Sequence, residues 1–217
     1  MNILTPILVI YFAVVFPTIH LVFPGNRFIY EYWPTLYFSL ALTIAILSKQ
    51  VSAQQLGLKD VRKSVTIGLL LGTLPAISVP LLDSLLVSTG LSQSELFTGA
   101  DMRSPDEMGF NRSLTSKLFP VIIVPFINQL FLTGLVIKNL LKTQNTGQAI
   151  ISSGLLFCLF QFDFSLGNLF LGMVATGLLR LSGSVLAPVL IHAGFAIAEY
   201  LIVFHYPRLI SALVFIV

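Results

Sequence analysis

From Ile3 to Phe23 the chain carries no Asp, Glu, Lys or Arg, and comparable apolar runs recur along its length. A helix crossing the roughly 30 Å hydrocarbon core of a bilayer takes about 20 mostly apolar residues. In lipid, each such run must pair its own backbone groups, which leaves a helix as the local solution. Composition agrees. Hydrophobic residues make up 56% of the chain and charged residues 10%, against about 25% charged in soluble domains. That is too little polar surface to cover a soluble globule. A soluble enzyme, a disordered chain, a collagen-like repeat and a nucleic-acid module are excluded. The net charge of +3 needs no nucleic acid, because membrane proteins carry excess Lys and Arg in their cytoplasmic loops. The single cysteine, Cys158, excludes a disulfide framework and a Cys-based zinc site.

The expected fold is therefore an all-α polytopic membrane protein, a bundle of about eight transmembrane segments in one domain, 1–217. Ile3–Phe23 is the first span, with kinks expected at Pro6 and Pro17. It has no basic stretch before it and no small-residue cleavage site, so it reads as a retained span rather than a signal peptide. Tyr32–Ser48 is the second, with Tyr30, Tyr32, Trp33 and Tyr37 expected as an interfacial aromatic belt. Val65–Val87 is the third, interrupted by Pro75, Pro80 and Asp83. Leu118–Leu141, Ala149–Phe162, Leu166–Leu181 and Val185–Phe204 follow. Leu209–Val217 is apolar but too short to cross, and reads as a half-helix or interfacial tail. Placing the loop Lys49–Lys63 in the cytoplasm puts Lys49, Lys59, Arg62, Lys63, Lys138, Lys142 and Arg180 inside. Arg27, Arg103, Arg112, Lys117 and Arg208 are then outside, which predicts a cytoplasmic N-terminus.

Polar residues inside spans are the functional candidates, because each is costly in hydrocarbon. The fourth span carries Asn128, Gln129 and Thr133, the fifth ends at Gln161 beside Asp163, and the seventh carries His192 and, on the same face, Glu199. Asn, Gln and His in membrane helices commonly act as hydrogen-bonding glue, at about 0.6–2 kcal/mol each. For any one of these residues alone that is the favoured reading. Gly167, Gly172, Ala175 and Gly177 of the sixth span signal close helix packing.

The order and spacing of these pieces resemble the CPBP family (CAAX protease and bacteriocin-processing, also called Abi), which are intramembrane metal-dependent proteases. The motif-bearing core covers approximately residues 56–204. Leu56-Gly57-Leu58, a basic stretch and Gly68-Leu69-Leu70-Leu71-Gly72 look like the family's lead into its third span. Phe126 to Gly134 lies over the motif Glu-Glu-x-x-x-Arg with a following Gly. Phe157-x-x-x-Gln161 lies over Phe-x-x-x-His. Ser182 to Pro188 lies over the turn TGSLWAP, and His192-x-x-x-Ala196 over His-x-x-x-Asn.

Carried over residue by residue, the resemblance implies that Asn128 and Gln129 replace the two glutamates and Thr133 the arginine. Gln161 replaces the first histidine and Ala196 the asparagine, while Phe157 and His192 are retained. An amide has no accessible basic site, so Asn128 and Gln129 cannot serve as general bases. One histidine cannot hold a metal that wants three protein ligands. The expectation is no catalytic residue, no metal and no other cofactor, in a neutral hydrogen-bonded cavity. This describes a pseudoprotease that acts by binding, as a scaffold or assembly subunit. Its partners would be other membrane proteins or a lipid-like ligand: a transmembrane segment, a lipid or prenyl-like chain, or a hydrophobic cofactor of unknown identity. The alternative is an active CAAX-type metal-dependent protease with a rearranged site. A small transporter is disfavoured by the lack of an inverted repeat and the scarcity of intramembrane charge.

Overall fold

The structure is a computed structural model that describes residues 4–23, 25–52, 54, 56, 58, 61–89, 118–140, 144–206 and 209. The long loop after Thr89, which carries Glu95, Asp101, Asp106 and Glu107, and the apolar tail beyond Leu209 lie outside the described residues. All regular structure described is helical. The described residues form seven helices: α1 (Leu4–Val22), α2 (Arg27–Leu47), α3 (Val61–Ser88), α4 (Phe119–Ile137, continued by Lys138–Leu140), α5 (Thr146–Gln161), α6 (Leu166–Ser182) and α7 (Leu186–His205). Four of them, α1, α3, α4 and α7, are long and apolar enough to cross a membrane. The protein is an integral membrane protein. The 16 residues of α5 and 17 of α6 are shorter; at 1.5 Å per residue they reach about 25 Å. The 21 residues of α2 are long enough, but its first half carries Glu31, Trp33, Pro34 and Thr35.

Helix ends are set by local chemistry. Asn26, Asn145 and Ser165 cap α2, α5 and α6, each side-chain oxygen accepting from a backbone N–H three residues on. Gly183 closes α6 with φ of 72°, the left-handed conformation that glycine adopts without a Cβ penalty. The third span is not interrupted as the sequence suggests: α3 runs unbroken through Pro75 and Pro80 for 28 residues. Each proline removes one N–H from the ladder, and in hydrocarbon keeping the rest of the helix is cheaper than exposing backbone. Where prolines do act is in α1 and α4. Widened π turns occupy Tyr11–Val15, ahead of Pro17, and Phe119–Ile123, which contains Pro120. A longer π segment, Gln129–Ile137, carries the candidate polar residues.

Two crossings hold the bundle together through glycine. On α3, Gly68 and Gly72 are spaced for a close approach to α7. A Cβ on Gly194 would lie 1.8 Å from the Gly72 carbonyl oxygen, and one on Gly72 would lie 2.6 Å from that of Leu190. The α5–α6 pair is similarly tight at Gly154 and Gly172, where the Ser153 hydroxyl donates to the Gly172 carbonyl at 3.0 Å. Such backbone proximity is how membrane helices gain packing energy without a hydrophobic driving force.

The core beside these crossings is aromatic. Tyr11, Phe38, Phe131, Phe157 and Phe160 are all fully buried, Phe38 and Phe131 stack at 4.3 Å, and Tyr11 donates to the Phe160 carbonyl. This corrects the expected aromatic belt. Tyr32 and Trp33 are buried, and Trp33 stacks on Tyr11 at 5.0 Å and packs on Phe162 at 5.5 Å. Tyr30 is exposed as expected.

Helix directions fix which residues share an end. Phe28 and Tyr32 of α2 meet Phe119 of α4, and Trp33 meets Phe162 after α5. Glu31, Asp83, Asp163 and Glu199 therefore all lie toward one end of the bundle. Lys49, Arg62, Lys63, Lys138 and Arg180 lie toward the other, where Arg180 donates to the Gln144 carbonyl at 3.2 Å.

Candidate functional site

Asn128 ends the α-helical turn that precedes the π segment of α4, Gln129 and Thr133 lie within that segment, and all three are essentially inaccessible. Each finds a partner, as a polar group in a dry interior must. Asn128 Oδ1 accepts from the hydroxyl of Thr35 on α2 at 2.9 Å. Thr133 donates its hydroxyl to Gln129 Oε1 at 2.5 Å. Gln129 Nε2 lies 3.2 Å from Nδ1 of His192 on α7. An amide nitrogen only donates, so Nδ1 accepts and the proton of the neutral imidazole sits on Nε2. Thr133 thus holds the amide, the amide holds the ring, and α4 is tied to α7 through uncharged groups.

Phe157 packs against this network, its ring edge-on to His192 at 6.1 Å. Its position depends on Gly172, where any Cβ would lie 2.6 Å from the Phe157 Cβ. Ala196, one turn beyond His192, helps to line a groove of about 700 Å³ between α6 and α7, which His192 also borders. Gln161 stands apart. It is half-buried as the last residue of α5, does not line the groove, and makes no side-chain hydrogen bond among the described residues.

The groove gathers residues that linear spacing keeps distant. Asp163, Asn168, His192 and Glu199 all line it, because the short connection after Gln161 folds back beside α7. Asp163 Oδ2 accepts from Asn168 Nδ2 at 2.7 Å and from the Ser165 hydroxyl at 3.0 Å. Sequence reasoning also missed Thr35, for which the available signal was a hydroxyl set in an apolar helix between Pro34 and Leu36.

The chemistry of this donor set does not suit a catalytic metal. Asn128 and Gln129 offer amides, which are weak zinc donors beside carboxylate or imidazole. The one imidazole has its Nδ1 engaged by Gln129 and its proton on Nε2. Among the described residues, no group of three His, Cys, Asp or Glu side chains is placed to hold a metal ion.

The chain is similar to a known family over this same region. Residues 111–198 match the family model described as type II CAAX prenyl endopeptidase Rce1-like. The match spans less than half of the chain, yet it runs from α4 to α7 and contains every position from Asn128 to Ala196 discussed above. The resemblance to the CAAX protease family read from the motifs is borne out over these residues. No curated protein and no solved structure matches the chain.

Proposed function

We propose that the protein is a pseudoprotease of the CAAX protease fold, which binds a hydrophobic partner in the membrane and does not cleave it. The observation that carries this reading is the Thr133–Gln129–His192 chain of hydrogen bonds. It occupies, with neutral groups, the positions where the family resemblance implies a carboxylate base, its arginine and a metal ligand. A group that cannot take a proton from water supplies no general-base catalysis. What the site retains is shape: the groove beside His192, whose apolar walls from α6 and α7 are joined by Asp163, Asn168 and Glu199. It suits a transmembrane segment of another protein or a lipid-like chain, consistent with a scaffold or assembly role. Lys49, Arg62, Lys63, Lys138 and Arg180 lie at one end of the bundle and Arg27 at the other, an excess that supports placing the first end, and with it the N-terminus, in the cytoplasm.

A second reading rests on the groove's carboxylates. With Asp163 and Glu199 lining the same groove as His192, a relocated hydrolytic site is the alternative. The absence of a metal-competent trio among the described residues ranks it second. The experiment is a cleavage assay with the purified full chain in lipid nanodiscs and a prenylated CAAX-type peptide, with and without added zinc. The expected result is no turnover above that of His192→Ala. Turnover that is lost both in that variant and on chelation would establish the second reading instead.

A further inference from the structure

The groove between α6 and α7 carries charge of one sign. Among the described residues that line it, Asp163 and Glu199 are acidic and none is Lys or Arg. Both are exposed residues. Glu199 makes no hydrogen bond or ion pair among the described residues. The Asp163 carboxylate is held by neutral donors, Asn168 Nδ2 at 2.7 Å and the Ser165 hydroxyl at 3.0 Å. Its charge is therefore oriented but not answered. Where apolar walls exclude water, a unit charge acts strongly on an opposite one.

Most of the remaining wall is apolar, and its polarity is graded. Asp163 and Glu199 lie toward the end of the bundle where α5 gives way to α6, and His192 lies about 10 Å further along α7, seven residues from Glu199. Phe170 of α6 and Phe195 of α7 line the groove and meet edge-on at 6.1 Å, which makes a continuous apolar surface across the two helices. Size narrows the occupant. A helix about 10 Å across fills roughly 420 Å³ per turn, so a groove of about 700 Å³ holds fewer than two turns. Of the two occupants named above, that volume favours a single chain, and it falls in the range of small-molecule sites.

We propose that the groove takes a single-chain cationic amphiphile, an apolar chain laid against Phe170 and Phe195 with its ammonium group at Asp163 and Glu199. This deepens the binding role proposed above and rests on it. The charge complementarity excludes the common alternatives. A phospholipid brings a phosphate to the two carboxylates, and a fatty acid brings a carboxylate, both like-charge contacts.

The test uses the full chain in phosphatidylcholine nanodiscs with three photo-crosslinking probes: dodecyl chains with a diazirine at the tail and an amine, an alcohol or a carboxylate at the head. Labelled residues are mapped by peptide mass spectrometry. Saturable labelling is the part removed by excess of the same compound without its diazirine. The amine is expected to label α6 and α7 around Phe170 and Phe195 about tenfold more than the alcohol, the worth of one charge-assisted hydrogen bond. The carboxylate should label least. Glu199→Gln and Asp163→Asn should each lower labelling by the amine severalfold, and together bring it to the level of the alcohol. Partition into the bilayer is common to parent and variants and drops out of the comparison. Should Asp163→Asn fail to fold, because its carboxylate also holds Ser165 and Asn168, Glu199→Gln carries the test. Equal saturable labelling by amine and alcohol overturns the cationic head and leaves the binding groove standing. Saturable labelling by none of the three overturns the proposal together with the binding role. Stronger protection by a lysine-bearing transmembrane peptide than by dodecylamine overturns the single chain in favour of a helical occupant.

Discussion

The side-chain amide of Gln129 donates to Nδ1 of His192 across 3.2 Å, a side-chain hydrogen bond that joins α4 to α7. It sets the ring's tautomer as well as its place. Gln129→Leu removes the donor while leaving the Thr133 hydroxyl and Nδ1 without their partner, at a cost of about 1–3 kcal/mol. A double-mutant cycle with His192→Phe should return a coupling of about 0.6–1.7 kcal/mol, the range for hydrogen bonds between membrane helices. Reversible unfolding in detergent gives all four stabilities. A coupling of zero would mean that the two side chains do not meet.

Gly194 and Gly72 define the second joint. With a Cβ at 194 only 1.8 Å from the Gly72 carbonyl oxygen, Gly194→Ala must separate α3 from α7. We expect a loss of more than about 3 kcal/mol, at the severe end for single substitutions. Gly147→Ala is the control. Its Cβ meets only the Asn145 side chain, at 3.8 Å, and in the first turn of α5 the change should be neutral or gain up to about 1 kcal/mol. Thermal unfolding of the two variants checks both.

Restoring the acidic pair of the CAAX protease family tests the charge logic. Asn128→Glu with Gln129→Glu places two carboxylates where no cation answers them, and an uncompensated buried charge costs about 3–5 kcal/mol. Adding Thr133→Arg should recover most of the loss. Adding Gln161→His as well should not, because Gln161 makes no side-chain hydrogen bond among the described residues and does not line the groove. Denaturation at neutral pH ranks the double, triple and quadruple variants. A double variant as stable as the parent would show that positions 128 and 129 are not buried together.

Much of this was legible in the sequence, for a physical reason. Apolar runs report helices that face lipid, so the observed α6 and α7 match the expected spans to within a residue at each end. Asn128, Gln129 and His192 stood out because polar groups are scarce in such runs. Trp33 was misplaced at the interface because residue type alone does not say whether an aromatic ring faces headgroups or Tyr11. The spacing of Asp163, His192 and Glu199 hid their common groove, since it depends on how the chain turns after α5. Pro75 and Pro80 read as breaks because proline rules from water overstate its effect in hydrocarbon.

The proposed orientation, with the end richer in Lys and Arg in the cytoplasm, predicts a labelling pattern. In a Cys158→Ala background, Gly25→Cys and Gln54→Cys should label from opposite sides of the membrane, Gln54→Cys from the cytoplasm. Gly25 is suited to this because a Cβ there meets nothing within 4 Å. Labelling of both from one side would overturn the topology.

The central claim is that neutral hydrogen bonds have taken the place of a metal centre around His192. Metal analysis of the purified full chain after dialysis tests it most directly. The account predicts zinc well below stoichiometric and unchanged in His192→Ala. About one zinc per chain, the loading of a single catalytic centre, lost in His192→Ala, would contradict it.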